Sequence, residues 1–279
     1  MKSQKTQIMG ILNITPDSFS DGGVYATVDL ARKRAKEMIT EGADIIDIGG
    51  ESTRPGSVEV DEAEERKRVM PVIKAIRSAY PEMTLSIDTR KANVAKEAIH
   101  AGCSIINSLG GFMFDAGLAK VASDNQCTYI IYHIKGEPKT MQTGSITNDD
   151  IVKDVLEFFQ EQIAFGISQG MKKEQFIIDP GIGFGKTLAQ NLEIIRRLQE
   201  FTILNVPLAI GVSRKSHLGM LLKEELNLDT LPSTTERLEA SLAETAVAVL
   251  QGASIVRTHD VMETKRFITV LDKIKNNAR

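Results

Sequence analysis

The sequence has few residues of the kinds that mark zinc-binding, secreted or membrane proteins. Its 279 residues include two cysteines and four histidines. Cys103 and Cys127 lie inside apolar runs, far from any C-x-x-C spacing, which predicts buried thiols in a reduced, cytoplasmic setting. The histidines form no H-x-x-x-H or Cys/His cluster, which argues against a dedicated zinc site. No apolar run is long enough for a membrane span, and the N-terminal run is too short for the hydrophobic core of a signal peptide.

The charge balance gives no reason to expect a polyanionic partner. There are 34 lysines and arginines against 37 aspartates and glutamates, which gives a formal net charge of -3. We therefore expect no nucleic acid and no membrane as a partner, and an anionic ligand would have to be met by a local cluster. The composition, 42% hydrophobic and 25% charged, is that of a globular protein with a large core.

The stretch FIIDPGIGFGKT, residues 176–187, looks like a nucleotide-phosphate loop but departs from that pattern at its first position. The pattern G-x-x-x-x-G-K-[ST] needs a glycine where this chain has Pro180. Proline has no N–H to offer a phosphate, and the neighbouring carboxylate of Asp179 would repel one. We therefore expect this stretch to contact something other than a nucleoside triphosphate, with Lys186 as a solvated or loop-bracing residue.

Short β-rich apolar runs alternate with longer amphipathic runs along the whole chain. Eight strands are predicted near residues 7–14, 43–48, 84–88, 104–108, 128–133, 176–179, 207–212 and 254–258. Eight strand–helix alternations predict an α/β fold, a single (β/α)8 TIM barrel forming one domain over residues 1–279. A doubly wound open sheet would usually have fewer strands. The loops after strands 1 and 2 are long and rich in Gly, Ser and Asp, which makes them candidate lids over a site.

Two helical patterns are clear enough to predict which residues face the core. In the first, a Gly42 stop follows an apolar face made of Ala31, Ala35, Met38 and Ile39. In the second, a capping box of Ser233 and Glu236 precedes a stripe made of Leu238, Leu242, Ala246 and Val249.

Polar residues follow nearly every predicted strand. They are Asn13, Asp47, Asp88, Asn107, His133, Asp179, Lys215 and, at strand 8, Arg257 with His259. Because the C-terminal ends of barrel strands converge, these residues are expected to share one pocket. Each has an ordinary interpretation, such as a helix N-cap for Asp88, but that does not explain the same kind of residue at nearly every strand end. Carboxylates and an amide beside Arg257 and His259 predict a ligand with a donor-rich planar ring and a phosphate.

Several longer motifs carry a resemblance to a known family. GILNITPDSFSDGG, GGESTRPG, SIDTRK, IIN, IIDPGIGFGKT, SRKS and VRTHDV occur in the order and at roughly the spacing of the dihydropteroate synthase family, which the chain closely resembles from about residue 7 to residue 275. Members of that family are TIM barrels, typically homodimers, that join 6-hydroxymethyl-7,8-dihydropterin diphosphate to 4-aminobenzoate in folate biosynthesis. They release diphosphate with the help of Mg²⁺, and sulfonamides compete for the 4-aminobenzoate site. The resemblance therefore implies a homodimeric transferase with Mg²⁺ and these two small-molecule substrates.

The resemblance also implies roles for individual residues. It places Asp88, Asn107, Asp179 and Lys215 around the pterin, with Phe184 near the ring. It assigns to the Mg²⁺ and the diphosphate Asn13, Thr53, Arg257 and His259, with Asn13 as the metal ligand. The lids would bring over the 4-aminobenzoate Phe19, Asp21, Arg54 and Pro55, and Lys215 and Ser216 would border it. The implied catalytic residues are Asp21, Arg54, Lys215, Arg257 and His259.

The implied reaction starts with loss of the diphosphate, which leaves a resonance-stabilised cation. Removing one donor to such a leaving group costs about 10² to 10³ in rate, so we expect Arg257→Ala to cripple turnover while leaving the fold intact. The chain departs from the family pattern at Ser108, Tyr132 and Thr258, and of these Tyr132 affects the wall of the pterin pocket.

Two alternatives remain at this point. The first is a corrinoid-dependent methyltransferase that uses methyltetrahydrofolate, which has no need of the TPDSFSDGG and RTHDV motifs. The second is a binding-only paralogue, which Tyr132 keeps open but the retained Asp21, Arg54, Lys215 and Arg257 argue against.

Overall fold

The computed structural model describes residues 5–14, 23–52, 59–136 and 150–277 of the chain. Eight strands lie within these residues. They are β1 (Gln7–Asn13), β2 (Ile45–Gly49), β3 (Thr84–Asp88), β4 (Ile105–Leu109), β5 (Thr128–Tyr132), β6 (Phe176–Asp179), β7 (Ala209–Ile210) and β8 (Ile255–Thr258). Each lies where the sequence predicts a strand.

The strands form a closed parallel barrel. In one sheet they run in the order β6-β5-β4-β3-β2-β1-β8-β7, and the paired neighbours are parallel. The two ends of this sheet meet at a parallel bridge between Ile178 and Leu208, where the Ile178 N–H donates to the Pro207 carbonyl at 3.0 Å. The predicted (β/α)8 barrel is confirmed. That one domain spans residues 1–279 stays a prediction.

Nine α-helices lie within the described part of the chain, eight of them between strands and one after β8. They are α1 (Gly23–Glu41), α2 (Glu62–Ala79), α3 (Ala92–His100), α4 (Gly117–Asn125), α5 (Ile151–Ser168), α6 (Leu188–Arg196), α7 (Ser216–Glu225), α8 (Leu238–Leu250) and α9 (Val261–Asn277). Both α7 and α8 follow β7. This strand is shorter than predicted, because Pro207 has no N–H to donate and the chain already turns at Val212, whose carbonyl accepts from the Lys215 N–H.

The predicted core face of α1 is confirmed. Ala31, Ala35 and Met38 are fully buried, and Ile39 packs against the same apolar cluster. At the end of the helix the Gly42 N–H donates to two carbonyls of the last turn, and its φ of +103° is one that glycine adopts without strain. Gly42 therefore ends α1 as the sequence predicts.

The prediction for α8 is only half right. The Glu236 carboxylate accepts from the Ser233 N–H at 2.7 Å, but the Ser233 hydroxyl contacts Thr235 instead of completing the box. The buried face of α8 includes Ser241 and Glu244, while the predicted stripe, apart from its last member, is half-buried. These polar residues face inward because they have partners: the Ser241 Oγ accepts from the Arg214 N–H at 2.9 Å, and Glu244 contacts a buried histidine.

The barrel interior changes from apolar to polar along the strands. One apolar layer draws a side chain from each of seven strands: Met9, Ile45, Ile105, Ile130, Ile177, Ala209 and Ile255. Because alternate residues of a strand face the same side, the residues two positions further on also face the interior. Those positions include Asp47, Asn107, Tyr132, Asp179 and Arg257. The polar layer therefore lies at the carboxyl ends of the strands.

The fold bears on two expectations, the burial of the two cysteines and the lack of a membrane-spanning segment. Cys103 and Cys127 are buried and unpaired, and burial raises the pKa of these thiols to about 12 and about 11. Both therefore stay protonated at neutral pH. In the part of the chain that the structure describes, no helix combines the length and the apolar character that crossing a membrane requires.

Candidate active site

Arg257 joins the carboxylates of two other strands. Its Nε donates to Asp47 Oδ2 at 2.7 Å, and its Nη2 donates to Asp88 Oδ2 at 2.8 Å. The amide of Asn107 donates to the same Asp47 oxygen at 3.0 Å. Asp47 is fully buried, and its second oxygen, Oδ1, has no hydrogen-bond partner among the described residues. Asp88, Asn107 and Arg257, three predicted site residues, thus meet around Asp47.

The carboxyl group of Asp88 can change its charge near neutral pH. Burial raises its pKa to about 7, the Arg257 charge opposes the rise, and nearby carboxylates, Asp47 first, add to it. A carboxylate bonded to arginine would ordinarily have a lowered pKa, so desolvation outweighs the ion pair here. Asp88 can therefore accept N–H groups when it is ionised and hold a proton when it is not.

Asp179 and Lys215 form a second cluster with two aromatic rings. Asp179 is buried at the end of β6 and accepts from the Gly181 N–H at 2.8 Å. The Lys215 ammonium lies 4.3 Å from the centre of the Phe184 ring and 3.4 Å from the Tyr132 hydroxyl. The two rings meet edge to face with their centres 4.7 Å apart. A carboxylate, an ammonium group and two aromatic rings thus line this side of the pocket.

Asp179 and Lys215 each depend on the other's charge. Burial lowers the pKa of Lys215 to about 7, and the Asp179 charge opposes this lowering. Burial also raises the pKa of Asp179, and the charge of Lys215 is the first of the groups that oppose this rise. A ligand that separated the two groups would therefore have to replace the lost interaction with one of its own.

Gly211 lies between the two clusters. A side chain at Gly211, which follows β7, would begin 3.7 Å from Arg257 Cβ and 3.9 Å from Asp179 Oδ2. Glycine at this position therefore keeps the gap between the clusters free of side-chain atoms. Carboxylate oxygens that could accept N–H groups and cations that could bind anions therefore lie close together.

His259 is tied to the loop that carries Lys215. The Ser213 hydroxyl lies 3.0 Å from His259 Nδ1 and accepts from the His259 backbone N–H at 3.2 Å. The neighbouring residues form an ion pair, in which Arg214 Nε donates to Asp260 Oδ2 at 2.9 Å. The segments after β7 and β8 are thus held together by two pairs of side chains, beside the first cluster.

Asn13 and Ser216 lie at the same end of the barrel. Asn13 ends β1, and a side chain at Gly49 would begin 3.6 Å from Asn13 Oδ1 and 3.4 Å from Asp88 Cβ. Ser216 is exposed and begins α7, directly after Lys215. The structure thus places Asn13 beside the first cluster and Ser216 beside the second.

Five predicted site residues lie outside the described part of the chain: Phe19, Asp21, Thr53, Arg54 and Pro55. The chain that leads to the last three is anchored at Glu51. Its carboxylate accepts from Arg90 Nη2 and from Lys91 Nζ, both at 2.6 Å, and Lys91 also donates to the buried Glu65 at 2.6 Å. These buried ion pairs fix the start of the loop after β2.

For three residues of the site region, the structure shows contacts that the sequence did not predict. The sequence places Asp47 in the pocket as one of the polar residues at strand ends, but the family resemblance assigns it no role. Tyr132 stands out only as a departure from the family pattern, yet it contacts both Phe184 and Lys215. For Lys186 the solvated alternative is wrong and the loop-bracing one is correct, since this side chain is buried and bonded to loop carbonyls.

Comparison with known proteins identifies the family. A family model described as "Pterin binding enzyme" matches residues 9–259, a range that contains both clusters. The chain belongs to the pterin-binding enzyme family. The two clusters therefore lie in the matched part of a pterin-binding enzyme, at the mouth of its barrel.

Named members of the pterin-binding enzyme family are similar to the chain over nearly its whole length. It is 44% identical to the dihydropteroate synthase of Escherichia coli K12 over 275 residues, which cover 98% of this chain and 94% of that protein. The Yersinia pestis dihydropteroate synthase, solved as a sulfonamide drug complex, matches with a TM-score of 0.89 at 40% identity and covers 99% of this chain and 96% of its own. The Xanthomonas albilineans dihydropteroate synthase, solved with 4-aminobenzoic acid, matches with a TM-score of 0.88 at 34% identity, with coverages of 99% and 95%. The family resemblance read from the motifs is confirmed.

Proposed function

We propose that this chain is a dihydropteroate synthase, which condenses 6-hydroxymethyl-7,8-dihydropterin diphosphate with 4-aminobenzoate to give 7,8-dihydropteroate and diphosphate in folate biosynthesis. The observation that carries the proposal is the 44% identity to the Escherichia coli enzyme over 98% of this chain. Similarity of this extent to synthases favours the reaction over corrinoid-dependent methyl transfer. The polar layer of the barrel supports it by its chemistry.

The pterin ring is assigned to the space between the two clusters. A pterin carries several N–H groups along one edge, and the carboxylates of Asp88 and Asp179 are acceptors for them. The unpaired Asp47 Oδ1 supports a donor-rich ligand as well, because a buried carboxylate oxygen without a partner is costly. Asn107 would donate to or accept from the ring, and Phe184 would cover part of its face.

The reaction replaces a C–O bond by a C–N bond at the pterin methylene carbon. The diphosphate leaves first with the electron pair of the C–O bond, and the 4-aminobenzoate nitrogen then attacks the cation and loses a proton. Arg257 and His259 would stabilise the growing charge of the leaving group, which is the interaction that most lowers such a barrier. The carboxylates use two of the five N–H groups of Arg257, so the others remain available as donors.

The Asn13 amide oxygen suits a Mg²⁺ ion that is shared with the diphosphate. No group of three or more His, Cys, Asp or Glu that could hold a metal occurs in the described residues. Mg²⁺ does not need one, because it keeps several waters and usually binds one or two protein oxygens together with substrate phosphates. We assign the ion to Asn13 and the diphosphate oxygens, where it would neutralise charge on the leaving group.

The 4-aminobenzoate is assigned to the space next to Lys215 and Ser216. Ser216 begins α7, and the N–H groups at the start of a helix attract a carboxylate. Phe19, Asp21, Arg54 and Pro55 would cover this substrate, and Thr53 would contact the diphosphate. Because the Yersinia pestis relative was solved with a sulfonamide drug, we also propose that sulfonamides compete with 4-aminobenzoate here.

The decisive experiment mixes the protein with Mg²⁺, the dihydropterin diphosphate and 4-aminobenzoate, and measures diphosphate and dihydropteroate. We expect both products in equal amounts. Pterin binding without product would favour the binding-only alternative, and no pterin binding would refute the proposal. Asp179→Asn should weaken pterin binding at least about tenfold, because it replaces a buried charged acceptor, whereas Asp229→Asn, at an exposed position, is the matched control.

We further propose that the chain forms a homodimer through α8 and α9. These neighbouring helices expose Val247 and Leu250, and Val270 and Ile274, by 42% to 64%. Adjacent exposed apolar side chains are typical of a subunit interface. Light scattering should give twice the chain mass, and Leu250→Lys should give a monomer, while Ile203→Lys, at an exposed site elsewhere, should not. A monomeric unmodified protein would refute this proposal.

A cytoplasmic location completes the proposal. It is supported by the two cysteines, which are buried and unpaired as expected of a protein in a reducing compartment. Cell fractionation tests it, and recovery of the protein outside the cytoplasm would contradict it.

A further inference from the structure

Lys186, the residue that gives FIIDPGIGFGKT its likeness to a phosphate loop, faces the protein interior. The residue is only 9% exposed. Its Nζ donates to the Gly181 carbonyl at 2.8 Å and to the Phe184 carbonyl at 3.1 Å, and it lies 2.8 Å from His133 Nδ1. A lysine ammonium has three N–H groups, and all three have a partner here. No N–H group of Lys186 is therefore available to bind a phosphate.

These contacts hold whether or not Lys186 is charged. Burial and the Lys215 charge lower the pKa of Lys186 well below its ordinary value, and burial and the Lys186 charge do the same for His133. A charged Lys186 donates its third N–H to the Nδ1 lone pair of neutral His133. A neutral Lys186 still donates to both carbonyls, and its lone pair accepts from Nδ1–H. Proton loss therefore does not release the loop.

The loop that Lys186 binds has little room to rearrange. Gly181 and Gly185 have φ values of +68°, and Cβ atoms there would lie 1.8 Å from the His133 carbonyl oxygen and 2.1 Å from that of Lys135. The backbone of the loop therefore packs directly against the backbone that follows β5. Only glycine satisfies both the conformation and the close approach.

Two site residues depend on the backbone that Lys186 holds. Gly181, whose carbonyl accepts from Lys186, uses its N–H to hold Asp179 Oδ1 at 2.8 Å. Phe184, whose carbonyl also accepts from Lys186, places its ring 4.7 Å from that of Tyr132. Lys186 therefore helps to hold both a buried carboxylate and an aromatic face of the pocket, although its Nζ touches neither. Two other side chains bond the same loop: Lys215 Nζ donates to the Ile182 carbonyl, and Asn191 Oδ1 accepts from the Gly183 N–H at 2.7 Å.

We propose that Lys186 is a positioning residue for the pterin site, which orients Asp179 through Gly181 and the Phe184 ring through its own carbonyl. This inference rests on the proposed function, because it takes Asp179 and Phe184 as pterin contacts. Lys186 itself lies behind the loop and touches no substrate.

The test is Lys186→Met, which keeps an unbranched side chain one atom shorter than lysine and removes its hydrogen bonds. Hydrogen exchange of the amides in residues 181–185 should accelerate at least about tenfold, with other buried segments unchanged, because the hydrogen bonds to two loop carbonyls are lost. The affinity for 6-hydroxymethyl-7,8-dihydropterin diphosphate should fall at least about tenfold, while the KM for 4-aminobenzoate at saturating pterin changes less than about twofold. Lys120→Met, at a lysine that is 75% exposed on α4, is the matched control.

His133→Phe is the second variant, in case Lys186→Met does not fold. It keeps a ring against Phe158 and removes one of the three partners of Lys186, so the same two quantities should change in the same direction by a smaller factor. Unchanged exchange in residues 181–185 would overturn the inference whatever the protein catalyses. If the unmodified protein binds pterin and the variants bind it with the same affinity, the inference is also overturned. An unmodified protein that binds no pterin would refute the proposed function, and this inference with it.

Discussion

Replacing Arg257 by alanine tests whether one guanidinium group stabilises the folded protein as well as the transition state of the reaction. Arg257 is bonded to Asp47 and Asp88, and the three side chains are 16%, 0% and 10% exposed. Removing one partner of a buried ion pair leaves an uncompensated charge and costs about 3–5 kcal/mol. Domains are stable by about 5–15 kcal/mol, so we expect Arg257→Ala to fold but with a much smaller free energy of unfolding. The prediction from the sequence that the variant keeps its fold therefore stands, with the added expectation that its stability is reduced.

The loss should depend on pH, because Asp88 binds a proton more tightly in the folded chain than in the unfolded one. Its pKa is about 7 against an ordinary 3.8, so the stability contributed by its proton is complete below pH 3.8 and is lost as the pH rises through about 7. The Arg257 charge lowers this pKa, so in the alanine variant it lies higher and the loss continues above pH 7 at about 1.4 kcal/mol per pH unit. Arg257→Ala should therefore cost about 2 kcal/mol more at about pH 8.5 than at about pH 6.

Urea unfolding followed by circular dichroism at the two pH values measures this difference. Arg196→Ala is a suitable control, since Arg196 is 70% exposed and pairs with a residue of its own helix turn, Glu193. A cost for Arg257→Ala that is equal at both pH values, or below about 1 kcal/mol at the higher one, would refute the reasoning. Dihydropteroate formation, expressed per folded molecule, should still fall by about 10² to 10³.

Two further predictions concern other residues of the pocket. The kcat/KM for the dihydropterin diphosphate should fall about tenfold per pH unit below about pH 7, because protonation of Asp88 removes an acceptor, and Asp88→Asn should lower kcat/KM and abolish this dependence. If kcat/KM still falls in the same way at low pH in Asp88→Asn, the fall is due to another group. Gly181→Ala should lower both the melting temperature and the pterin affinity more than Gly183→Ala does. Both glycines have positive φ, but a Cβ at Gly181 would meet the His133 backbone at 1.8 Å, whereas one at Gly183 would meet only the flexible Lys215 side chain at 3.1 Å. Equal effects in the two variants would contradict this ranking.

The strands and the polar layer could be predicted from the sequence because both depend on local patterns. A buried parallel strand is a short run of branched apolar residues, and all eight of them stand out between longer amphipathic segments. Because alternate residues of a strand face the same side, Asp179 must face the barrel interior if Ile177 does. The convergence of the strand ends then brings distant polar residues together without any knowledge of their contacts.

The pairings within the site could not be predicted, because each joins residues that are far apart in the sequence. Arg257 bonds Asp47, which lies 210 residues earlier, and nothing local distinguishes that role from phosphate binding. The buried face of α8 was misjudged for the same reason, since Ser241 and Glu244 face inward only because Arg214 and His217 meet them there. One partner of Lys186 is a carbonyl two residues away, and another is His133, 53 residues earlier. The motif alone therefore does not determine whether the side chain points to solvent or to the interior.

The groups that pair with one another in the pocket are the same groups that we propose bind the substrate. Asp88 accepts from Arg257 Nη2, and we propose that it also bonds the N–H edge of the pterin. A pterin that carries a diphosphate can engage both groups, with N–H donors for the carboxylate and oxygens for the remaining N–H groups of the guanidinium. A pterin that lacks the diphosphate would bond Asp88 but offer no acceptor to those remaining N–H groups. We therefore expect a ligand that carries both parts to bind more tightly than the pterin alone.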